Sequence, residues 1–150
     1  MARTLGEVKT AEEVRAKLEG GADVHATDGD GRTALHYAAP RAVGAVVAAL
    51  LEAAANPDAK DKDGETPLHA AGSAAVVAAL LEAGAEENAK DEQGFTPLHH
   101  AAMDDAPATA AALLEAGADA DVRDDYGQTP ADIAQEEGYL AIAEMLREAE

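Results

Sequence analysis

Apolar residues recur along this chain in short, regularly placed groups. Val14 and Leu18 stand four residues apart. Val46-Val47 precede Leu50-Leu51, Val76-Val77 precede Leu80-Leu81, and Leu113-Leu114 form a further pair. Residues spaced three or four apart share one side of an α-helix, so each group predicts a helix with one buried stripe. The predicted helices run from about Thr10 to Gly20, 44 to 54, around Val76–Leu81, from Pro107 to Gly117, and from Tyr139 to Ala149. Thr10 and Glu13 have the spacing of a capping box, and Gly20-Gly21 supplies a cheap left-handed helix end. Asp104-Asp105-Ala106-Pro107 reads as an acidic cap before a first-turn proline.

Between these helices one phrase returns. It reads Gly31-Arg32-Thr33-Ala34-Leu35-His36, Gly64-Glu65-Thr66-Pro67-Leu68-His69, Gly94-Phe95-Thr96-Pro97-Leu98-His99 and, faded, Gly127-Gln128-Thr129-Pro130-Ala131-Asp132; its glycines lie 33, 30 and 33 residues apart. Such a period marks stacked supersecondary units, none able to bury its apolar face alone. Phrase and period together resemble the ankyrin repeat family, over nearly the whole chain. The resemblance implies an all-α solenoid in which short β-hairpin loops alternate with helix pairs.

The repeats divide the chain into a degenerate first unit (1–27), three internal repeats (28–60, 61–90, 91–123) and a C-terminal cap (124–150). Residues 1–9 offer little periodicity for a first helix. The family pattern expects Gly where Ala54 follows the helix of the first internal repeat, which predicts a strained or lengthened exit. The second repeat is three residues short near Gly72-Ser73, which predicts a trimmed surface corner. Charged Glu136, Glu137, Glu144, Arg147 and Glu148 suit the polar outer face of a terminal cap, so the array reads as ending there.

The formal net charge of −19 denies nucleic acid and anionic membranes the basic surface that they need. Solubility, a basic protein partner, a high-salt cytoplasm and an acidic decoy remain as readings of it. The chain has no Cys, which excludes disulfides and thiol chemistry. No apolar run approaches the ~20 residues of a membrane span, and the N-terminus lacks a signal-peptide core, so a cytoplasmic location is expected.

His36, His69 and His99 form a column, but each repeat advances by ~10 Å, too far for one shared metal. The resemblance implies that Thr and His of the phrase instead hydrogen-bond backbone and neighbouring turns. Asp28-Gly29-Asp30-Gly31 and Asp61-Lys62-Asp63-Gly64 fail as calcium loops, because position twelve is Ala39 or Gly72 rather than Glu. No phosphate loop or nucleophile elbow occurs. No catalytic residue, metal site or cofactor is expected.

In a repeat stack the variable positions carry recognition. By the resemblance, loop tips and exposed first-helix positions line a concave face. Tyr37, Phe95 and Tyr126, three of the four aromatics, fall on it. We therefore expect a non-catalytic, monomeric protein-interaction module. Its patch centres on Phe95, His100, Met103 and Tyr126, with Arg32, Tyr37 and Arg41 toward the other end. The competing reading of Phe95 and Tyr126 is packing between neighbouring tips.

Overall fold

One aspartate closes each loop of the array. Asp28 Oδ1 accepts the backbone N–H groups of Asp30 and Arg32 at 2.9 and 3.0 Å. Asp61 does the same for Asp63 and Glu65, Asp91 for Gln93 and Phe95, and Asp124 for Tyr126 and Gln128. A short acidic side chain that bonds the backbone two residues on is the economical way to hold such a turn. The tips then stack through backbone hydrogen bonds. Lys62 N donates to Asp30 O at 2.9 Å, Glu92 N to Asp63 O at 3.0 Å, and Asp125 N to Gln93 O at 3.0 Å. Where another tip follows, stacking crowds the tip glycine: a Cβ on Gly94, itself at φ +79, would sit 2.8 Å from Asp125 Oδ1.

The computed structural model describes residues 3–41 and 43–150. Among them are eight α-helices: α1 (Ala11–Glu19), α2 (Ala34–Ala38), α3 (Gly44–Glu52), α4 (Ala74–Glu82), α5 (Pro97–Met103), α6 (Pro107–Glu115), α7 (Pro130–Glu136) and α8 (Leu140–Glu148). No strand occurs among the described residues, so the tips are hydrogen-bonded turns rather than β-ladders. The helices form two layers. The first-helix layer holds α2, a 3-10 turn at Pro67–Ala70, α5 and α7; α1, α3, α4, α6 and α8 pack in sequence as the other. Leu35, Leu50, Leu68, Leu80, Leu98, Leu113 and Leu146 are fully buried between them.

Local sequence explains the helix ends. Thr33, Thr66, Thr96 and Thr129 all adopt extended backbone as N-caps, and proline follows the last three where a helix has no use for that N–H. Helices α1, α3, α4 and α6 end alike. Gly21, Ala54, Gly84 and Gly117 take positive φ and donate to Leu18, Leu51, Leu81 and Leu114 carbonyls. Ala54 adopts this conformation at φ 66, so its helix exit is strained and not lengthened.

The short second repeat loses its first α-helix, which survives only as the Pro67–Ala70 turn. Gly72 closes the gap by donating its N–H to Ala39 O at 3.0 Å; a Cβ there would strike the Pro40 carbonyl. Two caps differ from expectation. Thr10 Oγ1 accepts Glu13 N at 3.1 Å, but the Glu13 carboxylate returns to Lys9 N, one residue outside the expected box. The N-cap of α6 is Ala106, not an aspartate, because Asp104 closes α5 and Asp105 turns the chain at φ 48. Residues 3–9 form no helix, yet Leu5 and Val8 are buried in the core. Of the uncertain first unit, residues 1 and 2 lie outside the described set, as does residue 42.

Candidate binding face

The face begins with the histidine column. His36 Nδ1 accepts the Thr33 N–H at 3.1 Å, His69 that of Thr66 at 3.0 Å, and His99 that of Thr96 at 3.1 Å. A ring nitrogen that accepts carries no proton, so each imidazole is neutral with its proton on Nε2. That proton goes to the next tip: His36 Nε2 donates to Glu65 O at 2.9 Å, His69 to Phe95 O at 2.8 Å, and His99 to Gln128 O at 3.0 Å. Burial pushes the His69 pKa down to about 4 and lowers that of His99. In the last unit Asp132 takes this place; its carboxylate accepts the Thr129 N–H at 3.0 Å and offers no proton onward.

The struts leave the tips and the first-helix flanks facing outward. At the N-terminal end, Leu5, Ala34, Tyr37, Asp28, Arg32 and Arg41 help line a cleft of about 310 Å³. Tyr37 is half-exposed, and its hydroxyl donates to Asp28 Oδ2. Arg32 Nε donates to Asp61 Oδ2 at 3.4 Å, and Arg41 pairs with Glu7 at 2.7 Å. All three side chains are therefore engaged within the molecule.

The C-terminal half of the face differs. Phe95 is half-buried, and its ring centroid lies 6.5 Å from Tyr126, 5.9 Å from His100 and 5.8 Å from His99. Tyr126 is 71 % exposed, the most exposed of the large hydrophobic residues among those described. His100 Nε2 donates to Asp91 Oδ2 at 3.0 Å and lies 3.8 Å from Glu65 Oε1, whose pKa is raised by burial. Met103 packs half-buried against the core. His69, Asp91 and His100 bring possible ligand atoms within 4.8 Å of one another. However, both His69 nitrogens already hold hydrogen bonds and His100 Nε2 is bonded to Asp91 Oδ2, so the three groups satisfy one another and their neighbours without an ion.

Charge follows the same division. Residues 1–41 hold six of the eleven Lys and Arg residues and seven of the thirty acids, so nearly all of the −19 lies beyond them. Among the described residues, Glu92 and Asp125, both exposed at the tips, pair with no cation. Sequence reasoning singles out the aromatics but weighs only two of the four loop aspartates, Asp28 and Asp61, and those only as calcium ligands. Their recurrence at 28, 61, 91 and 124, each three residues before a tip glycine, was the available signal.

A family model described as ankyrin repeats, in three copies, matches residues 7–91 and 72–150. The chain belongs to the ankyrin repeat family. Ankyrin repeats generally mediate protein–protein interaction and are typically non-catalytic, and the Thr–His struts above hold this ankyrin array in register. No curated protein matches the chain. No helix among the described residues is long and apolar enough to cross a membrane.

Proposed function

We propose that this array binds a protein partner through the face made by its tips and first helices, and that the partner is basic. The observation that carries the reading is the pairing of exposed Tyr126 with Phe95 on the acidic half of the face. Exposed aromatic side chains are common interface anchors. His100 adjoins them, while Tyr37, Arg32 and Arg41 border the N-terminal cleft. Met103 lies on the same first helix as His100. Acidic tips steer a basic partner toward it. The module acts without catalysis, as a monomer in the cytoplasm.

The high charge favours a second reading, an acidic decoy for a nucleic-acid-binding protein. A pull-down from native lysate at low and high salt separates the two, with wild type beside Phe95→Ala/Tyr126→Ala. A partner that the wild type keeps in high salt and the variant loses supports the aromatic face. Partners that hold to both forms, leave with salt and are competed by DNA support the decoy. A partner kept equally by both forms in high salt contradicts the face.

A further inference from the structure

We propose that the tip begun by Asp124 is an arginine socket: a guanidinium carried by the partner hydrogen-bonds Asp124 Oδ2 and lies against the Phe95 and Tyr126 rings. This rests on the tip face being the protein-binding surface, and it names the anchor that the surface takes.

The four loop aspartates are equivalent, and in each Oδ1 serves the turn. Their second oxygens fare differently. The Tyr37 hydroxyl donates to Asp28 Oδ2, Arg32 Nε to Asp61 Oδ2 at 3.4 Å, and His100 Nε2 to Asp91 Oδ2 at 3.0 Å. Among the described residues Asp124 Oδ2 has no donor, although it is buried and the whole residue is only 6 % exposed. Sequence register explains the gap. Tyr37 and His100 each stand four residues after the helix-capping Thr, and Ile133 holds that place after Thr129. Arg32 stands directly before its Thr and reaches forward to the next tip. Phe95 holds that place in the tip before Asp124. Both positions that supply donors elsewhere are hydrocarbon here.

A buried carboxylate oxygen without a donor forfeits the hydration that it has in the unfolded chain. The Arg32–Asp61 pair is the molecule's own pattern for filling the place. A guanidinium is planar, weakly hydrated and able to stack on aromatic rings while donating to a carboxylate; a compact ammonium matches less well. Phe95 and Tyr126, inclined at 31°, offer such rings. The Tyr126 hydroxyl has no partner among the described residues, so its exposed ring is free to swing aside. The nearby Arg123 is turned to Gly127 O at 2.6 Å and leaves Asp124 alone.

The test is an NMR titration of the 15N-labelled full chain with acetyl-Ala-Arg-Ala-amide, and with the same peptide carrying citrulline or lysine. The reporters are the Tyr126 and Gln128 amides, which donate to Asp124 Oδ1. The arginine peptide is expected to shift both amides saturably at millimolar concentration, with citrulline at least about tenfold weaker. Asp124→Asn keeps an oxygen for the turn and is expected to reduce arginine binding about tenfold while remaining folded by circular dichroism. The socket is overturned if arginine shifts neither amide, if lysine binds equally well, or if Asp124→Asn binds arginine as tightly as wild type. In the lysate pull-down, a partner lost by Phe95→Ala/Tyr126→Ala but kept by Asp124→Asn removes the socket and leaves the face standing. A partner kept by both removes the face as well.

Discussion

The tips begun by Asp61 and Asp124 are built from the same turn and receive the same histidine strut, yet they differ at one oxygen. In the first, Arg32 reaches across from the preceding tip to a carboxylate whose side chain is 2 % exposed. In the second, Phe95 stands where Arg32 would, and the oxygen is left without a donor. Repetition fixes the backbone at both places, and a single substitution in the preceding tip decides whether the junction closes on itself. The closed junction contributes stability; the open one keeps an acceptor and two aromatic rings for something outside the molecule.

Acid loosens struts along the array, His69 onto the tip begun by Asp91 and His99 onto the one begun by Asp124, because each must be neutral to bridge. The His69 pKa near 4 lies below that of an unfolded histidine, about 6.5. Between these values the unfolded chain binds more protons, so stability is complete above pH ~6.5 and declines as pH falls toward 4. His69 alone accounts for about 3 kcal/mol of that loss, and His99, shifted the same way, adds to it. NMR titration is expected to find His69 with its midpoint near pH 4. A midpoint at or above 6 contradicts the strut.

Converting one tip into the other gives the next largest effect. Arg32→Met orphans Asp61 Oδ2 as Asp124 Oδ2 is orphaned and is expected to cost about 2 kcal/mol in urea denaturation. Asp124→Asn removes a buried charge that has no partner and is expected to cost nothing, or to raise stability by about 1 kcal/mol. Equal losses in the two variants would erase the difference between the tips. Away from both, Ala54→Gly is expected to gain about 0.5 kcal/mol, as release of left-handed strain outweighs glycine's greater chain entropy. A loss at that site would show that Ala54 carries no strain.

Much of the fold was legible because its signals are local. Thr-Pro-Leu-His states a cap, a first-turn proline and a core residue within four residues, whereas the strut and the strained or lengthened exit at Ala54 were legible only through the ankyrin resemblance. The cap of α6 misled because Asp104 and Asp105 have the right chemistry two residues and one residue too early, and the short α5 needs them to turn the chain. Phe95 and Tyr126 stood out in the sequence as aromatics at tip positions, but the depth at which Met103 packs did not, since a first-helix position does not reveal it. The engagement of Arg32 and the isolation of Asp124 were hidden for a further reason. Each depends on a partner about 30 residues away in another tip, and only four tips laid in register show which junction lacks its donor.

A double-mutant cycle between Phe95→Arg and Asp124→Asn tests the open junction most directly, because it subtracts the packing that the Phe95 ring loses. Stabilities of wild type, both single variants and the double variant are measured by urea denaturation. The account predicts that Phe95→Arg is favoured in the presence of Asp124 by about 1 kcal/mol or more over its effect beside the asparagine, as an arginine there closes the junction in the manner of Arg32 and Asp61. A coupling energy of zero would mean that the Asp124 carboxylate needs no donor, and the contrast between the two tips would fall.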